Sequence, residues 1–445
     1  MSCQLQLLCD YSLSKFMQSS YLNWTLIGLF IRLLIMPFSF HGHDIFYLYY
    51  FPYQFLTTGQ WNPYLPFSEV HLPQHTSIVY HYPPMMYFIF TSFLFFIKPF
   101  LPNLPDLFLT FQTWNFAQQG NTIHFADILM PHQLFRTLFF FKVPYLFFDF
   151  ISAFFLVRFF KEDKKRLYAY KIWMLNPFTL HSCYALGQSD IIITCLLIVS
   201  AYSLSSAMPI KAFLLIPFSS LIKPFSIVIL PFAILLQSKK FKDLVILSLP
   251  PLILVLTIML PLYISSGNAM FKGTLSIASS ISSYKTLFFV ISYSSLLAIF
   301  FFFKRNQKDS LDFIIYAFTL PLLCLFTYYV VTLRYFLLIT PFLIYLSLSC
   351  KRFLLYTTLI SLTLFGLKIG GNDLQWGLFA ALHPEWMSGL PIFDSFLNLI
   401  LNVKILHQIL YRFFLLVGTI IIIEILYVMK KKYHFSQSLS QPPYA

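Results

Sequence analysis

The chain has 445 residues, of which 58% are hydrophobic, 20% aromatic and only 10% charged, against about 25% charge in soluble domains. That composition excludes an ordinary soluble globule. The formal charge of +14 does not indicate a nucleic-acid partner, because the basic residues fall in short runs between apolar stretches: 161–166, 239–242, 304–308, 351–352 and 430–432.

Apolar stretches occupy 22–40, 84–97, 244–263, 286–303, 311–330, 335–349, 353–368 and 411–429. Several reach the roughly 20 residues that a helix needs to cross a bilayer, and the ten-residue alternation of a barrel strand is absent. The predicted fold is all-α: a polytopic transmembrane helical bundle of about 11 to 13 spans, forming one integral-membrane domain over residues 1–445. Basic runs between spans mark the cytoplasmic side. Either a prokaryotic plasma membrane or an endoplasmic reticulum membrane fits. Six cysteines at 3, 9, 183, 195, 324 and 350 show no CxxC spacing, which argues against a disulfide framework or a zinc site.

In chain order, 22–40 is the first span, with Arg32 inside it expected to snorkel or pair. Residues 41–97 carry no Lys or Arg, so 41–83 is predicted as a large external loop followed by a second span from Pro84. Residues 137–160, broken by Pro144, and 212–236, broken by Pro217 and Pro224, are each expected to be interrupted or hairpin helices. The C-terminal runs alternate consistently when 369–407 lies outside and 430–445 forms a cytoplasmic tail.

A carboxylate inside an apolar segment costs at least about 2.5–3.5 kcal/mol, so the acids are informative. Asp44 follows the first span in HGHDIFYLYY, Asp149 sits within 137–160, and Asp190 ends GQSD. Lys142, Lys171, Lys223 and Arg334 are their basic counterparts. Asp149 is expected to pair with Lys142 or Arg136 as internal glue. Asp190 is a candidate cap for the helix starting at Ile191, a role compatible with a site. On the charge-derived topology Asp44, Gln188, Asp190 and Arg334 emerge on the external face, joined by Lys223 if 212–236 is a hairpin. Such a cluster suits chemistry on a charged, lipid-borne substrate.

Five of the eleven histidines lie in the first loop: His41, His43, His71, His75 and His81. HGHD offers two imidazoles and a carboxylate to a divalent metal, but i,i+2 spacing across a glycine is a weak ligand pattern. These histidines are read as polar neighbours; no metal and no cofactor is predicted. The aromatic and amide residues of GQWNPY (59–64) and YHYPP (80–84) suit either a membrane-interface belt or a sugar-binding surface.

Taken together, HGHDI, GQWNPY, YHYPPMMY, NPF followed by GQSD, KPFSIVILP and LRYFLLITPF occur in an order that resembles the GT-C superfamily of integral-membrane glycosyltransferases, especially its mannosyltransferase-like members. The likeness covers residues 24–345. It implies inverting transfer of a hexose, mannose-like, from a polyprenyl- or dolichyl-phosphate donor to a lipid, glycan or protein acceptor at the external or lumenal face. Asp44 matches the first-loop carboxylate regarded as catalytic, here the general base. Lys223 and Arg334 would meet the leaving phosphate, and Asn62, Tyr80, Tyr82, Gln188 and Asp190 would position sugar or acceptor. Thr332 and Leu333 stand where relatives often carry His-Glu. The alternative from another class is a membrane transporter or flippase of lipid-linked or polar solutes, since broken helices and buried charges suit that too; a non-catalytic subunit of a membrane assembly is the third.

Overall fold

The computed structural model describes residues 19–41, 44–65, 80, 82–117, 129–267, 283–304, 310–330, 332–367, 381–382 and 402–440. Among them every regular element is helical. The helices in chain order are α1 (Ser19–Ile35), α2 (Asp44–Thr58), α3 (Pro84–Ile97), α4 (Leu104–Ala117), α5 (Leu134–Val157), α6 (Asp163–Met174), α7 (Asp190–Ser205), α8 (Pro209–Ser220), α9 (Ile229–Gln237), α10 (Phe241–Ser266), α11 (Ser283–Phe303), α12 (Leu311–Tyr328), α13 (Thr340–Ser349), α14 (Lys351–Gly366) and α15 (Val403–Ser440). Five of these, α5, α10, α11, α12 and α15, are long and apolar enough to cross a membrane, and six shorter helices are also apolar.

Two kinds of apolar helix establish a multi-pass membrane protein. α12 is buried without a break from Phe313 to Thr327, and α7 buries twelve of its sixteen residues; these form the bundle centre. α10 is as apolar, yet only Pro251 and Leu262 of its 26 residues are buried. Side chains such as Ile253, Leu256 and Ile264 point outward. An apolar helix exposed all round requires a hydrocarbon solvent. α12 and α15 meet closely because Gly418 leaves room for Thr327, whose Oγ1 lies 2.5 Å from where a Cβ would stand.

One end of the bundle gathers the basic runs. Lys432, eight residues before the end of α15, bonds Asp312 at the start of α12, and the Tyr345 hydroxyl donates to Asp312 Oδ1 at 2.8 Å. Lys304, just beyond α11, donates to the Ser238 carbonyl at 2.5 Å and so satisfies the end of α9. α12 then rises 18 residues, ~27 Å, so Arg334 lies at the opposite end.

Three sequence expectations need correction. Residues 41–83 are not simply a loop: α2 occupies Asp44–Thr58, with Ile45–Pro52 wholly buried. Its apolar content (IFYLYYF) is enough to bury its first half, polar residues return between Gln54 and Thr58, and Gly59 closes the helix in a left-handed conformation (φ 75°). Residues 66–79, with His71 and His75, and also His43 and His81, lie outside the described residues, as does most of 369–407.

Second, α5 is one continuous helix through Pro144. Proline removes one N–H and crowds the carbonyl a turn back, a loss that membrane helices tolerate where packing and local adjustment restore bonding. The hairpin expected for 212–236 does form: α8 ascends, the chain turns at Leu221–Lys223, and a 3-10 turn (Pro224–Val228) leads into α9.

Third, Asp149 pairs with neither Lys142 nor Arg136. Its partner is Arg32, with Nε 2.6 Å from Oδ2 and both side chains buried. Trp173 Nε1 donates to Oδ1 at 2.7 Å and the Tyr184 hydroxyl to Oδ2 at 2.8 Å. Arg32 also donates to the carbonyls of Gly28 and Met174. Helical side chains lean toward the N-terminus, so Lys142 points away from Asp149, seven residues further along α5. Instead its ammonium binds the carbonyls of Met36 (2.9 Å), Tyr184 (2.8 Å) and Ser39, holding the chain that leaves α1. Arg136 remains exposed beside Gln133, and Lys171 rests over the Trp24 ring at 5.1 Å.

Candidate functional site

Local sequence places five side chains at the end opposite the basic runs. Asn176 accepts the Phe178 N–H at 2.9 Å, turning the chain out of α6 into Pro177–Thr179. A single π-turn over Leu180–Ala185 follows, a form of helix that recurs at functional sites. Gly187 ends it at φ 77°, and a Cβ there would stand 2.8 Å from Ile45 Cδ1. The positive φ and the missing side chain let GQSD close against the start of α2, which brings Gln188 to Asp44.

The Asp44 carboxylate oxygen Oδ2 accepts Gln188 Nε2 at 2.6 Å and Arg334 Nη1 at 3.2 Å. His41 Nδ1 lies 3.4 Å from the same oxygen. Asp190 Oδ1 accepts Lys223 Nζ at 2.9 Å, and the same ammonium reaches Gln188 Oε1 at 3.5 Å. Gln188 therefore links two acid–base pairs, donating to the acid of one and accepting from the base of the other. The Tyr335 ring lies beneath both cations, 5.1 Å from Lys223 Nζ and 5.2 Å from Arg334 Cζ, where ring electrons favour positive charge.

Exposure divides the cluster. Lys223, Gln188 and Asp190 are buried, whereas the Asp44 and Arg334 side chains are 25% and 32% exposed. Of the two pairs, Asp44–Arg334 is the partly exposed one among the described residues, and Asp190–Lys223 supports it from behind. Lys223 is thus placed to act through Gln188 and Tyr335, not as a direct surface for a ligand. Asp190 does not serve as the expected cap: Ser189 takes that position, and Asp190 begins α7 with its side chain turned to Lys223. A carboxylate in the first turn also meets the positive end of the helix dipole.

The other predicted residues divide by position. Tyr82 is partly buried with its ring 6.0 Å from Tyr47. Burial, followed by the nearby Asp44 carboxylate, pushes its hydroxyl well above the usual phenol value, keeping it a proton donor. Asn62 and Tyr80 are not brought to the cluster. Asn62 is buried and ties the 59–65 turn to α10, donating to Ser265 Oγ at 2.6 Å and accepting the Tyr64 N–H at 2.9 Å. Tyr80 is buried among the Tyr64, Tyr82 and Tyr87 rings.

Two residues of the site escaped the sequence reading. Ser182 Oγ lies 3.4 Å from Asp190 Oδ2 and 3.3 Å from the Arg334 carbonyl, joining the π-turn to the 334–338 turn. Tyr335 was visible inside LRYFLLITPF, but nothing linear indicates that its ring underlies a lysine 112 positions away. Among the described residues no group of three His, Cys, Asp or Glu side chains is arranged to hold a metal ion.

Replacing Gly187 tests this geometry. Gly187→Ala is expected to destabilise the protein by more than about 1 kcal/mol, because a left-handed residue with a side chain is costly and Ile45 must also yield. The thermal midpoint in detergent should fall, and whatever activity depends on the Asp44–Gln188 contact should fall with it. Compared with models of known families and with curated proteins, the chain matches none.

Proposed function

We propose that this protein is a GT-C-like glycosyltransferase, taking a hexose from a polyprenyl- or dolichyl-phosphate donor and passing it to a lipid, glycan or protein acceptor with inversion. The observation that carries the proposal is one partly exposed carboxylate, Asp44, bonded to a partly exposed guanidinium, Arg334, at the end of a membrane bundle opposite its basic runs. By the positive-inside rule that end is external or lumenal, where a lipid-linked sugar meets water-soluble or membrane-borne acceptors.

The chemistry follows from the two exposed groups. The acceptor hydroxyl is a weak nucleophile until a base within hydrogen-bond reach takes its proton, the part assigned to Asp44. As the acceptor oxygen bonds to the anomeric carbon, the carbon–oxygen bond to phosphate breaks and its electron pair leaves with the phosphate. Arg334 compensates the developing charge and offers a planar fork suited to phosphate oxygens. Gln188 keeps Asp44 oriented, and the Tyr82 hydroxyl remains available as a donor. Thr332 and Leu333 supply no second acid, and the cluster's other carboxylate, Asp190, is buried and holds Lys223 in place.

The test is transfer of labelled hexose from a polyprenyl-phosphate donor by the full-length protein in liposomes, followed by donor titration with Arg334 variants. Arg334→Lys is expected to raise the donor KM and lower kcat, because a point charge replaces a fork; Arg334→Gln should lower kcat/KM further. No transfer by the native protein from any of several hexosyl donors would reject the proposal. The buried Asp190–Lys223 pair beside the hairpin turn also suits a transporter; solute flux in those liposomes without sugar transfer would favour that reading.

A further inference from the structure

A groove of about 840 Å³ runs between α11, α12 and α15, separate from the acid–base cluster. Tyr328 and Thr419 form its floor, hydroxyl to hydroxyl at 2.9 Å. Its walls are Leu287, Phe288, Ile291 and Leu416, all more than half exposed on the outer surface of the bundle. In a membrane that surface faces lipid, so the groove opens sideways into the bilayer.

Its two ends differ. Lys285 stands at one end, its ammonium 5.8 Å from the Tyr411 ring centre, with Tyr284 beside it. From Tyr411 to Thr419 the groove follows eight residues of α15, ~12 Å of helix, between apolar walls that end at the Tyr328–Thr419 hydroxyl pair. α11 ends near Lys304 at the basic-run end of the bundle, so Lys285 lies at the end where Arg334 is found. Tyrosines and a lysine at that level are the side chains that meet lipid headgroups.

We infer that this groove is a binding site for an anionic phospholipid of the surrounding bilayer, with one acyl chain lying along α15 and the phosphate at Lys285. The occupant is set by charge and by access. Among the described lining residues the one ammonium, Lys285, matches one phosphate, the lining offers an acyl chain only apolar contact beyond the Tyr328–Thr419 pair, and the open side admits a lipid laterally without passage through water. A soluble anion would gain nothing from the apolar 12 Å, and a zwitterionic lipid, whose own cation offsets its phosphate, would gain less from Lys285 than an anionic one.

The full-length protein, reconstituted in vesicles of equal phosphatidylglycerol and phosphatidylcholine, is extracted in mild detergent and its retained lipid measured by native mass spectrometry. Phosphatidylglycerol is expected to exceed phosphatidylcholine by about fivefold, the preference that one lysine near an anionic headgroup confers. Lys285→Gln should abolish that ratio, and Leu416→Trp, which fills the groove and keeps the charge, should lower the total lipid retained. Both substitutions are at surface positions, and unchanged gel-filtration profiles and thermal midpoints show that the fold persists; should Leu416→Trp unfold, Ile291→Trp serves in its place, and should Lys285→Gln unfold, Lys285→Met does. Equal retention of the two lipids by the native protein, or an unchanged ratio in Lys285→Gln, would overturn the inference. So would displacement of phosphatidylglycerol by an equimolar polyprenyl phosphate, which would make the groove a donor site. The readout is lipid retention, so a failure of sugar transfer leaves it unaffected.

Discussion

Asp44→Asn should lower sugar transfer by about 10²–10⁴-fold, the contribution of a positioned general base, while the protein accumulates in the membrane at native levels. The substitution is nearly isosteric. Its amide oxygen can still accept Gln188 Nε2, which lies 2.6 Å from the native carboxylate, and Arg334 is partly solvated, so it does not become a buried unpaired charge. The loss should therefore appear in kcat with little change in donor KM. Asp44→Ala should be at least as inactive. Transfer rates within a factor of two of native in both variants would remove Asp44 from the chemistry. A rise in KM with unchanged kcat would instead make it a binding group.

The second large effect concerns stability, away from the site. Asp149→Ala is expected to destabilise the bundle by about 3–5 kcal/mol, the usual result of removing one partner of a buried ion pair. Arg32, fully buried, would lose its counter-charge, and the Trp173 and Tyr184 donors would lose their acceptor. Thermal unfolding in detergent should show a lower midpoint, and the protein should elute as aggregate at temperatures where the native form is monodisperse. The double substitution Arg32→Met with Asp149→Leu should recover a substantial part of the loss, because apolar side chains of similar volume carry no desolvation cost. If the double variant is no more stable than Asp149→Ala, the pair is not the source of the effect. The network joins α1, α5 and α6, and with Lys142 on the chain leaving α1 it fixes where that chain enters α2. Some loss of sugar transfer at high temperature is therefore expected even though none of these residues reaches Asp44.

Much of the fold was legible in linear sequence where apolar runs were long and bounded by charge. The expected segment 84–97 coincides with α3, and 286–303 and 311–330 lie within three residues of α11 and α12. Pro224 announced the turn that carries Lys223, since it opens the 3-10 segment after the lysine, whereas Pro217 sits inside α8 without ending it. Pro144 misled because a proline reports only a missing donor, and whether the helix runs on past it depends on the packing around it. α2 was hidden by Pro52 and by the absence of Lys and Arg, which indicates a side of the membrane and says nothing about helix or loop.

At the site, amino-acid identity by itself singled out Asp44, Gln188, Asp190, Lys223 and Arg334, since charges and amides at the edges of apolar segments are costly and therefore few. It also separated one end of the bundle from the other, because lysines and arginines cluster where spans meet the cytoplasm. Pairing was decided only in three dimensions. Asp44 meets Arg334 across 290 positions, and Asp149 meets Arg32 across 117, distances over which a linear pattern holds no information about direction. The tertiary structure also sorted exposure, leaving Asp44 and Arg334 open and sealing Asp190 with Lys223. Burial depends on which helices pack against a side chain, and that is a property of the assembled bundle.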